Sequence, residues 1–356
     1  MRVLAIGDPY MPVTCFAEAL ASLGPAAVTV TQMQIDRTDG EPPRTESERR
    51  LREYAGDPAA VARAAAGHHI LVVHGAPVSA EALAVPSLRL VCCARGGPVN
   101  VDVAAATEYG IPVANTPGKN AEAVAELTIA FALTLIRGVP RASRYLADRG
   151  TWSESVFDGR EFFGREAPDT VLGLVGLGHV GRNVATRAVA LGFDVIAHDP
   201  VTPAIVPDGV RLVSMERLLA DADIVSVHAR ATPANRHMFS AAAFAQMKAG
   251  AVFINTARES LVDEDALSTA VRSGALAGAA LDVVERPADG ARHPLLDLPQ
   301  VFITPHIGGA TNETLERGAR QAAAAVAAIL TGRRPEAVVN PEVFDRVAVA
   351  GRGGAA

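Results

Sequence analysis

A chain of 356 residues, 49% of them apolar, has the length for two domains and the hydrophobic material for two cores. Its formal charge of −6, with basic residues scattered rather than clustered, argues against nucleic acid, which needs a cationic face. No apolar run reaches the roughly 18 residues of a membrane span, so no membrane partner is expected.

The opening MRVLAIGDPY reads as a first strand and not as a signal peptide. From there, short β-rich runs at 2–6, 27–31, 69–73 and 88–92 alternate with helical patterns such as 14–22 and 101–109. The alternation resumes with strands at 171–175, 193–197, 223–227, 251–254, 277–281 and 301–303, and helices at 179–191, 241–247 and 263–273. Such a pattern predicts an α/β chain with parallel sheets covered on both faces by helices. The charged segment 37–57, with Pro42 and Pro43, reads as an exposed connection. Cys92 and Cys93 are neighbours on an apolar run and point to opposite faces of a strand. With Cys15 they make neither a disulfide framework, a C-x-x-C pair nor a zinc-ligand spacing. Free thiols, no metal and a cytoplasmic setting are therefore expected.

The turn-rich NTPGKN at 115–120 marks a domain join. The helix that follows, Ala121 to Ile136, is apolar on almost all sides and must be buried on all of them. A homodimer through the region 120–138 would bury it. An alanine-rich helix is expected at 311–331, then a docked tail through GRRPEAVVNPEVF, with 345–356 flexible.

Residues 171–181, VLGLVGLGHVG, place Gly176, Gly178 and Gly181 in G-x-G-x-x-G spacing between a strand and a helix. Gly176 allows the tight turn, Gly178 lets backbone approach a pyrophosphate, and Gly181 lets helix pack on strand. Helix N-terminal amides then hold the phosphates. The next strand, FDVIAH, ends at Asp199, 18 residues after Gly181, where a carboxylate can take the ribose hydroxyls. It would repel a 2′-phosphate, which favours NAD over NADP. A turn cap before Pro200 is the other use for Asp199.

Two further residues follow apolar strands. Arg258, after AVFINT, can clamp a carboxylate with paired hydrogen bonds, or pair on the surface with Glu259 or Asp263. His306 precedes two glycines and can exchange a proton near neutral pH, or be structural.

From residue 88 to 331 the sequence resembles the D-isomer-specific 2-hydroxyacid dehydrogenases. The likeness is carried in order by ARGGPVNVD, GIPVANTPGKNAEAVAE, GLGHVG, INTARESLVD, GAALDVVE and TPHIGG. It implies two doubly wound parallel-sheet domains. A Rossmann NAD domain of about 118–307 would be inserted into a flavodoxin-like substrate domain made of 1–117 and 308–344, with the reaction in the crevice between. It implies hydride transfer between NAD and a small D-2-hydroxy or 2-oxo acid. Arg258 would hold the carboxylate and polarise the carbonyl, and His306 would be the acid–base residue.

The family glutamate that keeps the histidine protonated normally lies five positions after the aspartate of L-D-V. Here that place falls on Pro287, so Glu285 is the candidate, with Glu264 or Asp263 as alternatives. The resemblance gives Asp282 to the nicotinamide amide group and His228 and Thr232 to a cofactor loop in which Arg230 replaces a proline. His179, Val180, Thr256, Ala257 and Gly308 complete the implied cofactor contacts. Arg95, Gly96 and Gly97 match the loop that receives the substrate carboxylate, a nest-like arrangement, with Arg95 standing where the family has glycine.

The phosphoglycerate enzymes are the obvious comparison, but His74 stands where they carry a phosphate-binding arginine, and no length is left for their regulatory extension. The substrate is therefore expected to be a small 2-hydroxy acid, with phosphoglycerate or a sugar acid among the candidates. A glutamine position that formate dehydrogenases require is not matched. The rival reading is a non-catalytic NAD(H)-sensing corepressor of the same fold.

Overall fold

Strands that are apolar along their whole length have to be covered on both faces, and the runs VLAIG, ILVV and LVCC are of this kind. In the computed structural model, which describes residues 1–149, 162–201, 205–287 and 290–345, they form the middle of a sheet. The chain divides into two units, residues 1–119 with the segment from Thr311 onward, and Asn120–Ala310.

The first unit holds a five-stranded sheet of β1 (Arg2–Gly7), β2 (Thr29–Gln34), β3 (Ile70–Val73), β4 (Leu90–Cys93) and β5 (Val113–Ala114). The order is β2-β1-β3-β4-β5 and all pairs are parallel. One face, through Val3, Ala5, Val72 and Cys92, packs on Phe16 and Leu20 of α1 (Val13–Ala21) and on Ala319, Ala322 and Val326 of the C-terminal helix Asn312–Leu330. The other face, through Leu4, Leu71, Val91 and Cys93, meets the remaining helices. These are α3 (Pro58–Ala65), α4 (Ala80–Leu83) and α5 (Val103–Glu108), while α2 (Glu46–Arg50) lies in the connection that follows β2. Cys92 and Cys93 do point to opposite faces, and burial pushes the Cys93 thiol up to about 11.

The stretch 37–57 departs from the expected exposed connection. Thr45 and Glu48 form a reciprocal capping box that starts α2, and Ser47, Leu51 and Ala55 are buried. The charges face outward and hide a few small inward positions. β5 is also absent from the sequence reading. Val113 donates its amide to Asn340 Oδ1 at 2.8 Å and accepts the Val339 amide at 2.9 Å, so the expected tail docks along this edge. Beyond Asp345 the flexible-tail expectation lies outside the described residues.

The second unit is a seven-stranded parallel sheet, order β12-β11-β10-β9-β6-β7-β8. Its strands are β6 (Val171–Val175), β7 (Asp194–His198), β8 (Val210–Leu212), β9 (Ile224–Val227), β10 (Ala251–Asn255), β11 (Leu276–Leu281) and β12 (Val301–Ile303). The helices are α6 (Ala121–Ile136), α7 (Val139–Arg149), α8 (His179–Ala190), α9 (Met215–Asp221), α10 (Ala241–Gln246) and α11 (Glu264–Arg272). α6 sends Ala125, Ile129 and Ala132 into one face of the sheet, beside Val184 and Ala188 of α8. Two parallel doubly wound sheets are thus the architecture of the chain. Among the described residues no single helix is long and apolar enough to cross a membrane; α6 and α7 pass together only as a pair bent by 62°.

Candidate active site

The register of the seven-stranded sheet aligns its carboxyl ends. Val175 pairs with His198 on one side and Val227 on the other; Val227 pairs with Asn255, Asn255 with Leu281, and Leu281 with Ile303. The residues that come next, Gly176, Asp199, His228, Thr256, Asp282 and Thr304, therefore leave the sheet along a single edge. Strand order reverses between β6 and β9, which is where open α/β sheets leave a ligand crevice.

Gly176 turns the chain at this switch point with φ +100°, and a Cβ there would stand 2.8 Å from backbone atoms of His228 and Ala229. A Cβ on Gly181 would come within 2.1 Å of the Gly176 carbonyl oxygen, so α8 sits against the loop only because both residues lack one. Gly178 faces open space and caps α8 with no side-chain hydrogen bond. His179 and Val180 open the helix, whose first amides are thus left to a ligand. Asp199 anchors the same loop: Oδ2 accepts the Leu177 amide at 2.7 Å and Oδ1 the Val201 amide at 3.0 Å. His228 ties the neighbouring strand end to it, donating its amide to the Val175 carbonyl at 2.7 Å. Its ring pairs with Ser226 Oγ at 3.0 Å, and burial depresses the imidazole to about 3, so the ring stays neutral. Thr232 donates amide and hydroxyl protons to Asn235 Oδ1, and the exposed Arg230 contributes its carbonyl to the same turn. An uncapped helix start, a cradle that side chains would fill and a flanking carboxylate fit a dinucleotide.

At β10, Asn255 shapes the turn that presents Arg258: Oδ1 accepts the Ala257 amide at 3.0 Å and Nδ2 donates to the Arg258 carbonyl at 2.9 Å. The Thr256 hydroxyl, nearly buried, meets Thr128 of α6 at 3.0 Å. Arg258 is exposed and, among the described residues, its guanidinium donates only to the Ala257 carbonyl, at 2.7 Å. It pairs with neither Glu259 nor Asp263; the latter caps α11 instead. At β11, the buried Asp282 accepts the Thr304 hydroxyl at 2.6 Å and the amides of Ile307 and Gly308 at 2.8 and 2.7 Å. His306 sits inside that bonded turn in the left-handed region, φ +58°, with its ring exposed and hydrogen-bonded to no described residue.

None of the three candidate carboxylates is hydrogen-bonded to His306. Glu285 faces Arg236 at 3.4 Å and His237 at 3.9 Å, and its own amide donates to Glu264 at 2.8 Å. Glu264 pairs with the buried His293 at 2.9 Å. The Leu295 amide donates to His293 Nδ1, so Nε2 carries the proton given to Glu264. Burial raises the Glu264 pKa against the pull of these donors. His293 and Arg236 were not singled out from the sequence. Their roles depend on which carboxylate each one meets, which has no linear signal.

In the first unit, Gly96 and Gly97 are exposed and their amides donate to no described residue, an open pair of donors after β4. Arg95 turns its guanidinium to Glu53, donating to its carbonyl at 2.8 Å and to its carboxylate. Asp8, His74 and Lys119 gather at this sheet's carboxyl edge as well, and only His74 had attracted notice as a substitution.

The model of the D-isomer specific 2-hydroxyacid dehydrogenase NAD-binding domain matches residues 129–308. A hydroxypyruvate reductase from Thermotoga maritima is 40% identical over 253 residues, which cover 70% of this chain and 80% of the relative. A D-3-phosphoglycerate dehydrogenase from Mycobacterium tuberculosis is 40% identical over 285 residues, covering 77% of this chain and 52% of the relative. The chain thus spans about half the length of the phosphoglycerate relatives it matches. The solved structure of the TT0316 protein from Thermus thermophilus superposes with a TM-score of 0.76 at 32% identity, over 95% of this chain and all of that one.

Proposed function

Because the chain belongs to the D-isomer-specific 2-hydroxyacid dehydrogenase family, we propose that it is an NAD-dependent dehydrogenase interconverting a small 2-oxo acid and its D-2-hydroxy acid. The observation that carries this reading is the placement of Arg258 and His306 after β10 and β12 on the carboxyl edge of one sheet. Each is free of competing side-chain partners among the described residues, and the same edge carries, after β6, a glycine loop open to phosphates. NAD, when bound, supplies or accepts the hydride.

Gly176, Gly178 and Gly181, with the first amides of α8 from His179 and Val180, hold the pyrophosphate. Asp199 takes the adenosine ribose hydroxyls. His228, Thr232, Thr256, Ala257, Asp282 and Gly308 border the rest of the nucleotide. Arg258 binds the substrate carboxylate with two parallel N–H donors and draws electron density from the adjoining carbonyl. His306 gives a proton to the carbonyl oxygen during reduction and takes the hydroxyl proton in oxidation.

Glu285 is engaged with Arg236, so its service to His306 requires that exposed contact to open first. Asp282, with both oxygens occupied, positions His306 by holding the turn on either side of it. The substrate assignment draws on the hydroxypyruvate reductase and phosphoglycerate dehydrogenase relatives: a three-carbon or slightly longer 2-oxo acid with an oxygen substituent.

NADH oxidation followed at 340 nm against a panel of 2-oxo acids tests the reading. Turnover that His306→Ala abolishes supports it; tight NADH binding without turnover of any acid supports the sensor alternative. A homodimer through α6 is part of the proposal, supported by Leu127, Leu133 and Leu135, which are only half-buried on this apolar helix. Sedimentation of the purified protein checks it. A cytoplasmic location accords with two buried, unpaired thiols.

A further inference from the structure

The connection from β11 to β12 is fastened to α11 at two points, and both fastenings end on one carboxylate. Glu264, the first residue of α11, accepts the Glu285 amide on Oε1 at 2.8 Å and His293 Nε2 on Oε2 at 2.9 Å. A glutamate in the first turn of a helix gains from the helix dipole without being buried. This one is nevertheless only 15% exposed at its side chain. Burial raises its pKa against the pull of both donors, so the ion sits where its charge is disfavoured. A buried ion is a poor means of stabilising a fold. What this carboxylate does is fix where its two donors lie.

The N-terminus of α11 is a firm point to fix them to. Its cap, Asp263, accepts the Ala266 amide, and the backbone leading to it is tied to Phe239. The Phe239 amide donates to the Leu261 carbonyl and the Asp263 amide to the Phe239 carbonyl, both at 3.0 Å. Leu261 and Val262 are buried. The same stretch begins at Arg258, so the Arg258 turn and the start of α11 form one anchored piece.

Glu285 stands three residues beyond Asp282, with Val283 buried between them. Three residues reach at most about 11 Å, so a bond at the Glu285 amide limits the direction in which the chain leaves Asp282. Asp282 in turn accepts the Thr304 hydroxyl and the Ile307 and Gly308 amides around His306. The Glu285 side chain takes no part in this fastening, since its carboxylate faces Arg236.

We propose that Glu264 is a positioning residue for the hydride transfer: by holding the Glu285 amide it sets Asp282, and through Asp282 the turn that carries His306. It acts through main-chain geometry and makes no hydrogen bond to His306. Its effect on turnover rests on the dehydrogenase reading; its effect on the turn does not.

Three variants of the full chain separate the two fastenings. Glu264→Ala removes both, whereas His293→Ala removes the second and leaves the Glu285 amide its acceptor. Glu264→Gln keeps one carbonyl oxygen for that amide. Hydrogen exchange of residues 304–310, followed by mass spectrometry, reads the turn directly. It should quicken by roughly tenfold in Glu264→Ala and stay within about twofold of wild type in His293→Ala and Glu264→Gln. With the 2-oxo acid that the wild type reduces best, kcat should fall by roughly tenfold in Glu264→Ala only, with the NADH Kd unchanged.

Unchanged exchange in Glu264→Ala overturns the proposal. So does an equal quickening in His293→Ala, which would trace the effect to general loosening around α11. Faster exchange with wild-type kcat confines Glu264 to the fold and overturns it too. Should Glu264→Ala fail to fold, Glu264→Asp withdraws the carboxylate by one methylene and faces the same outcomes. If the wild type turns over no acid, the dehydrogenase reading fails, and the exchange measurement still decides whether Glu264 sets the turn.

Discussion

The Asp282 carboxylate accepts the Gly308 amide at 2.7 Å, and with its bonds to Ile307 and Thr304 it closes a turn around His306. His306 is held at φ +58°, a left-handed conformation uncommon for residues other than glycine. Asp282 is 2% exposed and faces no cation among its bonded partners, so its stabilisation comes from these three donors.

Asp282→Ala should therefore cost about 2–4 kcal/mol in urea denaturation, since two amides and a hydroxyl lose their acceptor. Asp282→Asn keeps part of the shell and should fold, with turnover lowered by roughly 10–100-fold as the His306 turn loosens. Gly308→Ala probes the same contact from the other side, because its Cβ would stand 2.8 Å from Asp282 Oδ2. Wild-type kcat in both Asp282→Asn and Gly308→Ala would remove the positioning role.

Asp199 has two jobs that one substitution separates. It anchors the glycine loop through the Leu177 amide and presents negative charge beside the ribose. Asp199→Asn keeps an acceptor for Leu177 and removes the charge. Fluorescence titration should show the NADH Kd rising by about tenfold while that of NADPH falls, since a 2′-phosphate is no longer repelled. Equal weakening of both cofactors would leave Asp199 with the loop alone.

Glu285 is half exposed and faces Arg236 at 3.4 Å, and such pairs contribute about 0–1 kcal/mol. Glu285→Gln should leave stability within that range and turnover within about threefold of wild type. A roughly 100-fold slower turnover, with a displaced acid limb of the pH profile, would instead assign this carboxylate to His306.

What the sequence discloses and what it hides divide along the range of the interactions. Gly181 packs on Gly176 and Asp199 holds Leu177, contacts within some twenty residues, and the spacing of these residues exposes them. Arg258 is legible because AVFINT ends the buried β10 directly before it. β5 is invisible because two residues give no period, and its edge is closed by Val339 and Asn340 from far along the chain. The buried positions of 37–57 are masked by their charged neighbours. Lys119 reads as an ordinary loop lysine in NTPGKN, since the burial of its ammonium without a hydrogen-bond partner is a property of the folded surroundings.

The burial of the Lys119 ammonium has a signature in stability against pH. The folded-state pKa of Lys119 is about 8, below the 10.5 of an unburied lysine, so the unfolded chain binds its proton more tightly. Between those values the unfolded state carries the extra proton, and stability rises with pH. Below pH 8 both states are protonated and the full penalty is present, on the order of 3 kcal/mol. Lys119→Met removes it, so the variant should be more stable than wild type at pH 7 by roughly that amount, with the gap closing as pH approaches 10.5. Urea denaturation of both proteins at pH 7 and pH 10 measures the two ends. A gap that does not narrow would show that burial does not depress the Lys119 pKa in the folded protein.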